Sequence, residues 1–338
     1  MNHFEQAVNL PYLPLCPPSF FIISNQKRTK MKKMSQRCLA TGLITSFLMM
    51  GFQPVLQAQD HFWNTAQAYL GQNPPGDKPE IFGQGILKDS GIVLGRVTFS
   101  KDGKAFYYSF AAHWFDDSGS GTKEIKFNGQ KWQKPVVIAE KITNPAFSPD
   151  YKRIYLGGSN GRVWVLDKTG TGWSKPALWL EKPYGLYNFQ ATNSGTFYTG
   201  SNGTQGSKKD WSTYDFCQLT IAGKDTVITS LGNAINTPGF DGDFFIAPDE
   251  SYIIISAKET KDFESELWIS FRKKDKTWTI PQSLGDKINN GLAHRFGQYV
   301  TPDGKYLFYT QGTNEADCTI YWVRFDKLLS RLRPGDLK

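Results

Sequence analysis

Along most of the chain, short apolar runs alternate with polar turns, and this alternation itself repeats. An apolar run, a turn carrying Asp and often Gly, and a run rich in aromatic and β-branched residues recur as one unit. The unit reads at residues 97–100, Lys101-Asp102-Gly103-Lys104 and 105–110, then at 145–148, Pro149-Asp150-Tyr151-Lys152 and 153–156. A degenerate copy places Thr192-Asn193-Ser194-Gly195 ahead of 196–199. Clear copies follow at Pro248-Asp249-Glu250-Ser251 with 252–256, and at Pro302-Asp303-Gly304-Lys305 with 306–310. The Asp or its Asn substitute falls at 102, 150, 193, 249 and 303, a period of 43 to 56 residues. Proline presets φ for the first corner of such a turn, Asp or Asn accepts backbone hydrogen bonds, and Gly tolerates positive φ. Two alternating runs joined this way predict a hairpin.

A second hairpin follows in several copies, its outer strand opened by Trp132-Gln133-Lys134-Pro135, Trp173-Ser174-Lys175-Pro176 or Trp278-Thr279-Ile280-Pro281. Proline donates no backbone hydrogen bond, which suits an outermost strand. The linkers echo each other too, Leu231-Gly232-Asn233-Ala234-Ile235-Asn236 matching Leu284-Gly285-Asp286-Lys287-Ile288-Asn289. Four short strands per unit at this period predict an all-β chain folded as a β-propeller. Five four-stranded blades follow, or six if residues 200–245 hide a further unit. The last repeat lacks a Trp-x-x-Pro strand, and residues 79–87 lack a hairpin partner. An N-terminal strand from 79–87 is therefore expected to close the ring, removing the exposed sheet edges. Ahead of it, residues 59–78 form an N-terminal arm. Within the arm, 61–70 are expected to make a short helix covering one face, ended by Pro74-Pro75-Gly76.

These repeats resemble the TolB-type, WD-repeat-like β-propellers of bacterial envelopes. The likeness rests on Phe147-Ser148-Pro149-Asp150, Thr301-Pro302-Asp303-Gly304-Lys305-Tyr306-Leu307-Phe308 and Glu266-Leu267-Trp268-Ile269-Ser270-Phe271 with Trp278. It includes Tyr69-Leu70-Gly71-Gln72 and Ile320-Tyr321-Trp322-Val323 at the two ends. The resemblance implies a periplasmic protein acting through protein contacts. Related propellers also accompany peptidase or carbohydrate-active modules, and fold alone does not transfer an activity.

Charge changes the picture less than its total suggests. The chain carries a formal +8, but residues 1–58 hold Lys27, Arg28, Lys30, Lys32, Lys33 and Arg37 against Glu5 alone. The remainder is close to neutral, which argues against a nucleic-acid partner. From Met31 the chain reads as a signal peptide over 31–58: Lys32, Lys33 and Arg37 lead an apolar run over 39–52, and Leu56-Gln57-Ala58 offers a cleavage site before Gln59. Cleavage leaves no membrane span, and the apolar run is shorter than the ~20 residues a spanning helix needs. Residues 1–30, rich in proline, read as an upstream extension that is not part of the native product. Residues 79–330 are then a single propeller domain, expected as a monomer in the periplasm or outside the cell. Cys217 and Cys318 lie in non-adjacent repeats and do not read as a disulfide framework.

On a propeller, the loops entering each first strand and those joining second to third strands share one face. Polar residues there are Arg96, His113, Asp116, Asp117, Asn144, Asn188, Asp241, Asp243, His294 and Arg295. Trp114 and Trp211 lie off the register of the blade tryptophans and suit stacking on a sugar or a partner. His113, Trp114, Asp117, Asn188, Trp211, Asp241, Asp243, His294 and Arg295 are the candidate ligand-binding set. Asp241-Gly242-Asp243 offers paired oxygens that suit calcium but lacks further ligands nearby, so it reads as a turn. A zinc site would require His61, His113 and His294 to converge, and neither a metal nor a cofactor is expected. There is no G-x-S-x-G elbow. Lys274-Asp275-Lys276-Thr277-Trp278 is similar to the Asp-box of sialidases, but a hairpin turn accounts for it. A non-catalytic module binding an envelope protein or glycan is the leading expectation. A carbohydrate-active hydrolase or lyase using Asp117, Asp243 or His294 is the alternative.

Overall fold

Three of the Asp turns, in the first, second and fifth blades, are held by the same side-chain bonds, whereas in the fourth Asp249 accepts from the Ser251 N–H and hydroxyl. The computed structural model describes residues 62–337, apart from 88–90, 115, 117, 118, 159, 160, 224, 259 and 261. The upstream extension, the export segment, His61 and Asp117 lie outside the described residues. In the first turn, the Ser100 hydroxyl donates to Asp102 Oδ1 at 2.6 Å and accepts the Ala105 N–H at 2.9 Å, while the Lys104 N–H reaches the same Asp oxygen at 3.1 Å. Ser148 and Asp150 repeat this, as do Thr301 and Asp303. The hydroxyl ahead of the Asp is thus as much part of the turn as the Asp. The residue after the Asp takes positive φ in four copies, Gly103, Tyr151, Glu250 and Gly304, and in the degenerate third copy the positive φ falls one place later, at Gly195.

These hairpins build five sheets of four strands each. The first blade holds Ile92–Phe99, Ala105–Ala111, Gly121–Lys126 and Val136–Glu140. The second holds Thr143–Phe147, Arg153–Gly158, Arg162–Thr169 and Ala177–Glu181, with Gly172–Trp173 paired beside its third strand. The third holds Tyr187–Ala191, Phe197–Ser201, Asp215–Ala222 and Asp225–Ser230, and the fourth Phe244–Ile246, Tyr252–Ala257, Glu266–Phe271 and Gln282–Ser283. Residues 200–245 belong to the third and fourth blades, so there are five blades and not six. The first strands of successive blades touch in a closed cycle around a common axis. Proline sits just ahead of the outer strand in the first, second and fourth blades, where no ladder bond is lost.

The fifth blade holds His294–Val300, Tyr306–Asn314 and Asp317–Arg324, and its fourth strand is Glu80–Ile81. Glu80 pairs with Trp322 and Ile81 with Tyr321, and the Phe82 N–H donates to the Ile320 carbonyl at 2.8 Å. The closing strand is therefore real but short, and the rest of 79–87 turns away from the sheet. The arm differs from the expected covering helix. It makes two 3-10 turns, Phe62–Asn64 and Tyr69–Gly71, whose aromatic side chains enter the main core. Trp63 packs edge-on to Phe99 at 5.4 Å, and Tyr69 contacts Tyr306 and Trp322.

The blade tryptophans bind the seams between blades. The Trp173 indole donates to Tyr107 Oη at 3.1 Å and to Glu124 Oε1 at 3.2 Å in the preceding blade. Trp278 packs with Tyr198 and Phe216 of the preceding blade. Trp132 donates instead to the Gln67 carbonyl at 2.7 Å, so the arm takes the neighbour's place. The echoing linkers have a shared purpose: Asn236 accepts from the Phe216 N–H and donates to its carbonyl and to Ser230 Oγ. Asn289 does the same with Leu267 and Ser283. A short helix, Asp326–Leu332, follows the last strand.

Candidate functional site

At the axis, the first strands leave their ladders and point polar groups inward. The register slips between Leu94 and Val97, Thr143 and Ala146, Tyr187 and Gln190, and Phe296 and Tyr299. Each slip contains one residue of positive φ: Gly95, Asn144, Asn188 or Gly297. Gly and Asn are the residues that adopt this conformation most readily, which accounts for their presence here. A Cβ on Gly297 would lie 2.3 Å from the Gly95 carbonyl carbon, so the blades meet there backbone to backbone.

Arg96 fills this centre. It is 1% exposed, and its guanidinium reaches across the axis to the Phe189, Asn188 and Phe244 carbonyls at 3.2–3.3 Å and to Asn188 Oδ1 at 2.7 Å. Asn188 in turn donates to Asp243 Oδ1 at 2.8 Å, so one amide links a buried cation to a buried anion. The Arg96 N–H donates to Asn144 Oδ1 at 3.2 Å. Burial pushes Arg96 down to about 9. Burial also pushes Asp243 up to about 6, opposed by Arg96 and by hydrogen bonds from Tyr187, Asn188 and the Gly297 N–H. The axis is thus plugged by a polar network that ties the first blade to the third and fourth.

On the loop face above this plug the candidates separate into two groups. Trp114 donates to Cys318 Sγ and packs against Phe263 and His294 at 5.7 and 5.2 Å. His294 stacks on Phe296 at 4.3 Å, and its Nδ1 lies 3.3 Å from Ser265 Oγ. Burial lowers His294 to about 4, against a hydrogen bond to the Phe263 backbone, leaving a neutral ring at physiological pH. The second group surrounds Trp211, which is 44% exposed. Tyr214 stacks on it at 4.9 Å, Tyr187 and Phe240 meet its edge, and the Lys209 ammonium lies over its ring at 4.3 Å. Gly242 forms the floor, for a Cβ there would strike the Phe240 and Tyr187 rings at 2.2 and 2.9 Å.

The remaining candidates are committed to their neighbours. Asp241 accepts the Thr237 N–H and hydroxyl at 2.6 and 3.1 Å, and burial raises it to about 7. Asp243 faces the axis instead, so the two carboxylates serve different networks. Arg295 is 1% exposed and donates to the Ser265, Ala293, Asn290 and Gly291 carbonyls and to Gln311 Oε1, which organises the loop over 290–293. His113 is exposed on its loop, and Asp116 accepts from the Ala112 and Gly119 N–H groups. Asp275 of the sialidase-like segment accepts from the Thr277 N–H and hydroxyl, a turn role. Cys217 and Cys318 are buried and not joined to each other. Among the described residues, no three His, Cys, Asp or Glu side chains are grouped to hold a metal ion. Sequence reasoning named Arg96 and Asn188 without seeing that they meet. It missed Lys209 and Tyr214 on Trp211's own loop, and Tyr187 on the third blade's first strand and Phe240 on the next linker, which gather around Trp211. Two concavities lie on the opposite, Asp-turn face, one beside the arm and one beside the C-terminal tail.

Neither a scan against models of known protein families nor a search of curated proteins finds a match. Among solved structures, the chain is similar to a protein assigned as TolB from Agrobacterium tumefaciens, at 12% identity and TM-score 0.42 over 69% of this chain and 77% of that one. It is similar to TolB from Acinetobacter baumannii at 12% identity and TM-score 0.41, over 69% of this chain and 54% of that one. A prolyl endopeptidase is a further neighbour, at 10% identity and TM-score 0.38, over 68% of this chain and 38% of the other. At these identities the likeness is one of fold.

Proposed function

We propose that the protein is exported and acts as a non-catalytic binding module of the bacterial envelope, engaging a protein or glycan through its loop face. This reading takes 31–58 as a cleaved signal, 59–78 as the arm and 79–330 as a monomeric propeller domain. One observation supports it above the others. Trp211 stands partly exposed on a bed of Tyr187, Tyr214 and Phe240, while Asp241, Asp243, His294 and Arg295 on the same face are already engaged. Rigid aromatic anchors of this kind dominate binding surfaces because they bury large area with little entropy to lose. Tyr214 and Lys209 already contact the Trp211 π system, so a partner meets its outer edge or displaces the Lys209 ammonium. His113 and Trp114 border the same face. A hydrolase using Asp117, Asp243 and His294 gains less support, because Asp243 is 3% exposed and bonded to Asn188.

The test expresses the chain from Met31 and recovers it from the periplasm. The mature protein is expected to begin at Gln59 and to bind peptidoglycan fragments or a purified envelope protein. Trp211→Ala is expected to weaken that binding about tenfold, as loss of an aromatic anchor does, with a small fall in melting temperature from its lost contacts with Tyr187, Tyr214 and Phe240. Retention of residues 31–58, or equal binding by Trp211→Ala and the unaltered protein, contradicts the proposal.

A further inference from the structure

The Asp-turn face carries a second feature that the loop-face reading does not use. Phe271, Arg272, Lys273, Lys274, Arg333 and Asp336 line a pocket of about 260 Å³, where the turn after the fourth blade's third strand meets the C-terminal tail. Its cations are not equivalent. Arg272 is committed, donating to Tyr198 Oη at 2.6 Å and to Glu250 Oε2. Arg333 donates its backbone N–H to the Leu329 carbonyl, while its guanidinium lies with its carbon 5.5 Å from the Phe271 ring centre and makes no hydrogen bond or ion pair among the described residues. Lys273 and Lys274 stand exposed beside it, their ammonium groups likewise without an acceptor among the described residues. Asp336 is the one acidic lining residue, and neighbouring Asp275 is occupied by Thr277.

Arg333, Lys273 and Lys274, set against Asp336 in the lining and Asp275 beside Lys273, leave an excess of positive charge inside a concavity, where the field is focused. A guanidinium laid on an aromatic face is oriented in advance, and its planar fork of N–H donors matches the oxygens of a tetrahedral anion. We infer that this pocket binds a tetrahedral oxyanion, a phosphoryl or sulfuryl group, with Arg333 as its principal donor and Lys273 and Lys274 as its charged walls. The site stands apart from the loop face, and neither reading depends on the other.

Calorimetric titration of the mature protein with sodium phosphate and sodium sulfate, against sodium chloride at equal ionic strength, tests it. Saturable binding of phosphate or sulfate, but not of chloride, is expected. Arg333→Gln should weaken it at least about fivefold, the loss of a charge-assisted contact, and Arg333→Lys should restore part of it. Arg333→Gln should lower the melting temperature of the unliganded protein only slightly, since its guanidinium gives up the Phe271 ring contact and no hydrogen bond. The Lys273→Gln, Lys274→Gln double variant should weaken binding as well. Sedimentation with phosphatidylcholine vesicles containing phosphatidate separates the sources. Vesicle binding lost in Arg333→Gln identifies a lipid headgroup, binding of the free ions alone identifies a soluble oxyanion, and either supports the site. Absence of binding to both ions and vesicles, or equal binding by the Arg333→Gln protein, overturns it.

Discussion

Asp241 shows what a single buried carboxylate does on this scaffold. Burial raises it to about 7, so the folded chain holds a proton that the unfolded chain has already released. Between the ordinary Asp range and pH 7 the native state therefore binds more protons, and this group's contribution to stability falls as pH rises through that window. Asn at this position keeps an acceptor for Thr237 and never ionises. Urea unfolding of Asp241→Asn and the unaltered protein across pH 4 to 8 (about the span of the effect) should show similar stabilities at the acid end. The variant should gain relative stability steadily as pH rises. A difference that does not change with pH contradicts the assignment. His294 acts in the opposite sense, its contribution being lost as pH falls toward about 4, and the difference between the two proteins cancels it. At this scale the sequence was legible in type and not in partner. Asp241 and Asp243 are one residue apart, yet one caps Thr237 and the other faces Arg96 through Asn188. Residues two apart on an extended segment would share a face, so strand alternation does not separate them, and the groups that meet Asp243 come from residues 96 and 188, which no local pattern brings near.

Elements were the most legible level, because each carries its own signal. The Asp turns, the Trp-x-x-Pro entries and the paired linkers sit at equivalent places in the blades that contain them. The linker asparagines carry a further consequence. Asn289 satisfies both the N–H and the carbonyl of Leu267, a residue with no exposed surface, so it behaves as one more rung of the sheet. Asn289→Ala leaves the buried Leu267 N–H without its partner, while the carbonyl keeps the Leu284 N–H at 3.0 Å, and should destabilise the fold by about 2 kcal/mol, measured by denaturant unfolding. A change near zero would show that these bonds are dispensable. The arm was read less well. The helix expected over 61–70 does not form, because Tyr69, Leu70 and Gly71 all adopt positive φ and place Tyr69 in the core. Packing against Trp63, Tyr306 and Trp322 outweighs helical preference there, and such tertiary override has no local signature. The C-terminal helix Asp326–Leu332 likewise lies outside the repeat from which the blades were read.

For the whole molecule, the ring and its closure follow from counting outer strands, since one blade lacked its own and one strand lacked a blade. The axial plug does not follow from counting. It arises because the first strands of five blades converge and Arg96 reaches Asn188, Phe189 and Phe244 across the centre. The two proposed sites lie outward of the plug, with an aromatic surface at Trp211 on one face and a cationic pocket at Arg333 on the other. Both rest on the ring being sealed by the start of the propeller. The Phe82 N–H, bonded to the Ile320 carbonyl at 2.8 Å, reports that seal directly. Native-state hydrogen exchange should find this amide, with those of Tyr321 and Trp322, protected to the level of global unfolding, together with the first strands of the blades. Exchange of Phe82 by local opening, while the first-strand amides stay protected, would mean that the ring is not closed by this strand.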